Sequence, residues 1–199
     1  MIQDNTSFQG QFDLVPFSLI QSEGMKVNVQ VSIEQELLRI RYDIFDPSQK
    51  LVFSQHPQGH LPIGKLVDGP WDQTCFELFF SPSPQSQNKS YGEFNFFPSG
   101  DFNFYHFKHY RQLDPAQSFN KSVSLTLSHH YEYQFGALNY HFEVVLRNTP
   151  FQLQDLSRYQ FNFCVITQTT DQKLNYWSLR HSGEKPDFHR TEDFLAKLI

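Results

Sequence analysis

Glu77 is the first residue with chemical potential. It sits mid-run in the apolar segment Cys75–Phe80, and in a strand it shares a face with Cys75 and Phe79. A carboxylate on a core face has to be paired. One that lines a concave sheet can accept hydrogen bonds from a ligand. Glu93 and Asn95 alternate with Phe94 and Phe96, so they share a face of their own strand. If that strand neighbours the first, all three polar groups converge. Trp71 stands in a Pro-rich loop just before the Glu77 strand, and Trp177 ends a late strand. A sugar offers apolar C–H faces that stack on aromatic rings, and hydroxyls that need carboxylate, amide and guanidinium partners. Trp71, Trp177, Glu77, Glu93, Asn95 and Arg180 supply that mixture. The plainer alternatives are a structural or exposed carboxylate at Glu77, a solvated face at Glu93 and Asn95, and packing for the two indoles.

Polar groups also crowd the segment Trp177–His189, which carries Arg180, His181, Lys185, Asp187 and His189. Two histidines with Asp187 between them are metal-ligand types, but their spacing matches no zinc pattern and both cysteines lie elsewhere. The expectation is a structural loop holding His181, Lys185, Asp187 and His189, braced by Asp187 and Arg180, with no metal. No nucleophile elbow, P-loop or dinucleotide fingerprint is present. Glu77 and Glu93 are a conceivable glycosidase pair, yet nothing in the sequence marks either as an acid of raised pKa. The reading is a non-catalytic binding domain.

The elements that position these residues are strands. Phe (22), Tyr (9) and Trp (2) are abundant, Ala is scarce, and aromatics suit a pleated surface. At 39% hydrophobic, 199 residues fit one domain over 1–199. Val27–Ile33 and Leu38–Ile44 alternate strictly and predict a hairpin. Segments 75–80, 92–97 and 101–107 predict a meander, with a turn at Pro98-Ser99-Gly100. Later strands are predicted over 122–128, 131–135, 140–147, 160–167 and 174–179, with a short helical turn near 151–157. The first 25 residues predict an edge strand with loops. The sum is all-β: an antiparallel β-sandwich of about ten strands with one short helix. Cys75 and Cys164 each lie in an apolar run and are expected to be buried thiols.

A net charge of −5 without a basic stripe argues against nucleic acid, since the only basic cluster, Lys108 to Arg111, is diluted by aromatics. No apolar run is long enough for a membrane span. The first residues carry neither a positive region nor an apolar one, which predicts a cytoplasmic protein.

Four stretches together carry a resemblance: Trp71-x-x-Thr74-Cys75-Phe76-Glu77-x-Phe79, Tyr91-x-Glu93-Phe94-Asn95-Phe96-x-Pro98-Ser99-Gly100, Trp177-x-Leu179-Arg180-His181 and Lys185-Pro186-Asp187-Phe188-His189. They resemble the small bacterial DOMON-like proteins, which are similar to the family 9 carbohydrate-binding modules. The resemblance implies a jelly-roll-like sandwich and a sugar clamped between two Trp rings, here Trp71 and Trp177. Glu77 falls at the acidic position after the first Trp, and Glu93, Asn95 and Arg180 follow as hydroxyl partners. The wider group also includes haem-binding electron-transfer domains with Met ligands. This chain has only Met1 and Met25, so no cofactor is expected and haem is the alternative. A protein-interaction or structural domain with no small ligand is the other.

Overall fold

The computed structural model describes residues 8–20, 22–34, 36–53, 57–62, 72–82, 90–116, 124–151 and 153–198. Its strands are β1 (Phe8–Pro16), β2 (Lys26–Glu34), β3 (Leu37–Asp46), β4 (Gly59–His60), β5 (Cys75–Pro82), β6 (Tyr91–Phe96), β7 (Phe102–His109), β8 (Gln112–Leu113), β9 (Ser124–Gln134), β10 (Ala137–Arg147), β11 (Tyr159–Gln168) and β12 (Leu174–Ser178). All pairings are antiparallel, in the order β4-β9-β10-β3-β2-β1-β12-β11-β5-β6-β7-β8. The all-β, sandwich-like expectation holds. Among the described residues the strands number twelve, two of them, β4 and β8, being two-residue pieces too short to show a period.

Period-two alternation explains the first half. In β2, Val27, Val29, Val31 and Ile33 are buried, and in β3 so are Leu38, Ile40, Tyr42 and Ile44. Their hairpin register sets Ile33 against Leu38. β10 then lies on β3, with Phe142 opposite Tyr42. The two predicted segments 122–128 and 131–135 are one strand, β9, paired with β10 from Ser124 to Gln134. The polar His129-His130 pair interrupts the apolar period without breaking the ladder.

β1 is not the predicted edge strand. Phe8–Leu14 pairs with β2, then Val15 and Pro16 pair with Ser178 and Trp177 of β12. One strand therefore joins the two halves of the sheet. Its sparse apolar residues looked like an edge, but its hydrogen bonds are used on both sides.

The sheet folds on itself. Phe76 of β5 stacks on Phe142 of β10 at 4.3 Å, Tyr42 meets Phe76 at 5.1 Å, and Phe12 meets Phe163 at 5.3 Å. Each such ring, fully buried, contributes roughly 1.5–3 kcal/mol. Tyr42 also donates its hydroxyl to the Glu77 carbonyl at 2.8 Å, tying the halves by a polar contact.

The β5-β6-β7 meander has the predicted pairing. Here both faces are covered. Phe76, Leu78 and Phe80 face the inter-sheet core, whereas Cys75 and Phe79 belong to a second apolar cluster on the outer face. The C-terminal segment lies across that outer face. Phe188 and Phe194 pack on Phe79 at 6.5 and 5.7 Å, and Ala196 bridges to Phe161. The predicted helical turn is a 3-10 helix at Leu153–Arg158, and a further 3-10 turn spans Thr191–Asp193. Cys75 and Cys164 are buried free thiols.

Candidate functional site: a carboxyl-floored cavity under the C-terminal segment

The second apolar cluster leaves a gap. A cavity of about 420 Å³ opens between the outer face of β5, β6, β7, β11 and β12 and the segment 186–189. That is the size of a small-molecule site. Phe79, Tyr105, Phe107, Ile166 and Tyr176 supply apolar wall, and Glu77 and Glu93 supply the acids among them. Arg111, Asp187 and His189 line it as well.

The sheet register brings the acids together. Glu77 pairs with Asn95, and Phe79 with Glu93, so the three polar residues share one face. All three are buried. Asn95 lies beside the cavity and orients its acid: its Nδ2 donates to Glu93 Oε1 at 2.7 Å. The other carboxyl oxygen, Glu93 Oε2, is buried with no hydrogen-bond partner. Buried polar atoms are rarely left so, and each one points to a function or a missing partner.

Burial raises the Glu93 carboxyl to about 7, against the pull of its Asn95 hydrogen bond and the Arg111 charge. Burial and then the Glu93 charge push Glu77 well above the usual carboxylate range. The sequence carries no mark of this, because desolvation is a property of the closed cavity.

The rim is organised by Asp187. It accepts from Tyr110 Oη at 2.6 Å, Arg111 Nη2 at 2.9 Å and the His189 backbone N–H at 3.2 Å. Burial works against ionisation there, but the Tyr110 and Arg111 hydrogen bonds prevail and hold the carboxyl below its usual range. Arg111 reaches this position from the turn between β7 and β8, where its φ is +52°. Its backbone N–H donates to Tyr91 Oη at 2.9 Å, and that hydroxyl meets His189 Nδ1 at 2.8 Å. The other ring nitrogen, Nε2, lies 3.8 Å from the unpartnered Glu93 Oε2. Burial, then the Arg111 charge, lowers His189 to about 4, so at neutral pH it is uncharged.

The remaining sequence candidates lie elsewhere. Trp177 is 1% exposed in the inter-sheet core, with its indole N–H on Thr167 Oγ1 at 3.1 Å. Neither ring face is open, which corrects its assignment to a clamp. Tyr176, one residue earlier, faces the cavity instead. Arg180 is also displaced. It pairs with Asp193 at 2.6 Å and bonds the Glu192 carbonyl, bracing the C-terminal segment. Trp71 falls outside the described residues. His181 bonds the Val15 carbonyl and packs on Phe17, and Lys185 is exposed on the loop. The bracing expected of Asp187 and Arg180 occurs, but to Arg111 and Asp193 rather than within one turn. Among the described residues no cluster of three His, Cys, Asp or Glu could hold a metal ion, and no helix is long and apolar enough to cross a membrane.

Sequence reasoning missed Arg111, Tyr91, Tyr105, Phe107 and Tyr176. Part of the signal was available. The tight turn at 98–100 sets Glu93 opposite Tyr105, so alternation puts Tyr105 and Phe107 on the acid face.

No protein-family profile matches the chain, and no curated protein sequence matches it significantly. Solved structures do. One is the crystal structure of a "putative carbohydrate-binding protein" from Bacteroides uniformis, with a TM-score of 0.61 at 13% identity, over 94% of this chain and 84% of that one. At that identity the likeness defines a shared β fold.

Proposed function

We propose that the domain binds a carbohydrate in the cavity floored by Glu77 and Glu93, without transforming it. One observation carries this reading: Glu93 Oε2 is buried at the cavity, lacks a donor, and stands 3.8 Å from His189 Nε2. A sugar ring presents neighbouring hydroxyls that each donate and accept. One hydroxyl donates a hydrogen bond to Glu93 Oε2, and its neighbour bonds His189 Nε2. The apolar C–H face then rests on the aromatic wall, where Phe107 and Tyr176 take the part that the family 9 resemblance assigned to Trp177.

The fold likeness to the Bacteroides uniformis protein supports this reading, as do the DOMON-like motifs, of which Cys75–Phe79 and Tyr91–Phe96 fall on β5 and β6 of the floor and Pro186–His189 lines the cavity from above. The non-catalytic reading rests on that likeness, since the matched protein is described as carbohydrate-binding.

Titration calorimetry of the protein with a panel of mono- and disaccharides tests the proposal. Saturable heat with one sugar class is expected, weakened about tenfold or more by Phe107→Ala, since tenfold is about 1.4 kcal/mol and a stacked ring supplies that much. A flat response across the panel from folded protein would sink it.

A further inference from the structure

The charges around the cavity do not balance. Glu77, Glu93 and Asp187 line it with one permanent cation, Arg111. That guanidinium is engaged by Asp187 at 2.9 Å. His189, the only ion-pair candidate for Glu93 among the described residues, lies 3.8 Å away and is kept neutral by its burial. Among the described residues Glu77 forms no ion pair. Among the described residues the two carboxyls, each about 3% exposed, have no charged partner within ion-pair distance, and one of their oxygens has no hydrogen bond at all. Such acids hold a proton for want of a cation, and a ligand that brings a positive charge favours the ionised form and gains a charge-assisted bond.

We propose that the cavity is selective for a sugar bearing a free primary amine, with its ammonium group set against the Glu93 carboxylate. The proposal rests on the carbohydrate reading of the same cavity. An ammonium has three donors and no acceptor, and a carboxylate oxygen is acceptor-only, so the two are complementary where a neutral hydroxyl supplies one donor and no charge. Charge-assisted hydrogen bonds are about twice as strong as neutral ones. Acetylating the amine removes the charge and leaves an amide with a single N–H donor. Glu77 stands diagonal to Glu93, and burial with the Glu93 charge favours its protonated form, so Glu93 is the carboxylate left to meet the ammonium. Asp187 keeps Arg111 from neutralising the floor.

The test is calorimetry at pH 7 with glucose, galactose, glucosamine, galactosamine, N-acetylglucosamine and cyclohexylamine, on the parent protein and on Glu93→Gln. At least one hexosamine is expected to bind about tenfold or more tightly than its parent hexose. N-acetylglucosamine should show no such gain, and Glu93→Gln should bring the hexosamine-to-hexose ratio toward one. Equal or tighter binding of the hexoses overturns amine selectivity and leaves the carbohydrate reading intact. Binding of cyclohexylamine with no sugar bound overturns the carbohydrate reading and keeps only the amine site. Binding of neither class overturns both. A preference that persists undiminished in folded Glu93→Gln shows that the carboxylate is not its source. If that variant does not fold, as judged by circular dichroism, Glu93→Asp serves: it keeps the acid but withdraws it by one methylene, and should lower the same ratio.

Discussion

Glu93 sits one strand over and two register pairs along from Glu77: Glu77 lies across from Asn95, and Glu93 across from Phe79. Diagonal positions of this kind are about 7–8 Å apart and within reach of long side chains. The pair is buried, and the Glu93 charge helps push Glu77 upward. Everything distinctive about the cavity follows from two acids held that close in an apolar wall.

The first consequence is a pH dependence of stability. Glu93 is raised from 4.5 to about 7 in the folded protein. Its contribution is therefore complete below about pH 4.5 and is lost as pH rises through about 7. Glu77 acts in the same direction. His189 is lowered from 6.5 to about 4 and acts oppositely: its contribution is present above pH 6.5 and lost as pH falls through about 4. The windows overlap, so the difference between parent and Glu93→Gln isolates the acid. In urea melts, the variant's advantage should be small near pH 4.5, grow by a few kcal/mol up to about pH 7, and then level off. A difference independent of pH would refute the buried-acid account.

Trp177 is a folding residue. Trp177→Ala should cost about 3–5 kcal/mol in denaturant unfolding, through the cavity left in the inter-sheet core and the lost bond to Thr167. Trp177→Phe should unfold more easily than the parent yet keep its ligand affinity. A Trp177→Phe protein of unchanged stability that no longer binds sugar would return the indole to the site.

Asp187 shapes the rim. In Asp187→Asn the amide keeps one acceptor oxygen, but the charge that holds Arg111 is gone. Arg111 is then free to neutralise the acid floor. Ligand affinity should fall about tenfold by calorimetry, the scale of one charged hydrogen bond. The melting temperature should fall as well, because Asp187 is largely buried and accepts from Tyr110, Arg111 and the His189 N–H.

Gly100 holds the turn between β6 and β7. Its φ is +91°, and a Cβ there would lie 2.1 Å from the Pro62 carbonyl oxygen. Gly100→Ala should destabilise the protein by about 1–3 kcal/mol, the range for forced overpacking. Thermal melts that show no loss would mean that the 61–62 segment yields freely.

Much of the architecture was legible in the chain. Strict alternation marked the β2-β3 hairpin, and the aromatic runs with their turn residues marked the β5-β6-β7 meander. The convergence of Glu77, Glu93 and Asn95 on one face followed from counting by two. β1 was misjudged because hydrogen-bond partners at both edges of a strand leave no trace in its side chains. Arg111 was passed over because its place depends on a positive φ in a short turn and on Asp187, which is distant in sequence.

By itself the sequence determined an all-β chain, which residues share a face within each strand, and two thiols inside apolar strands. Only the tertiary structure decided which face is which. A strand covered on both sides is apolar at nearly every position, so its period says who stands together but not what they face. Trp177 and Tyr176 differ by one residue and stand on opposite faces: one closed in the core, the other open to the cavity. The raised carboxyls belong to the same level, since desolvation by β5, β6 and the returning C-terminal segment arises only when segments about a hundred residues apart close over one another.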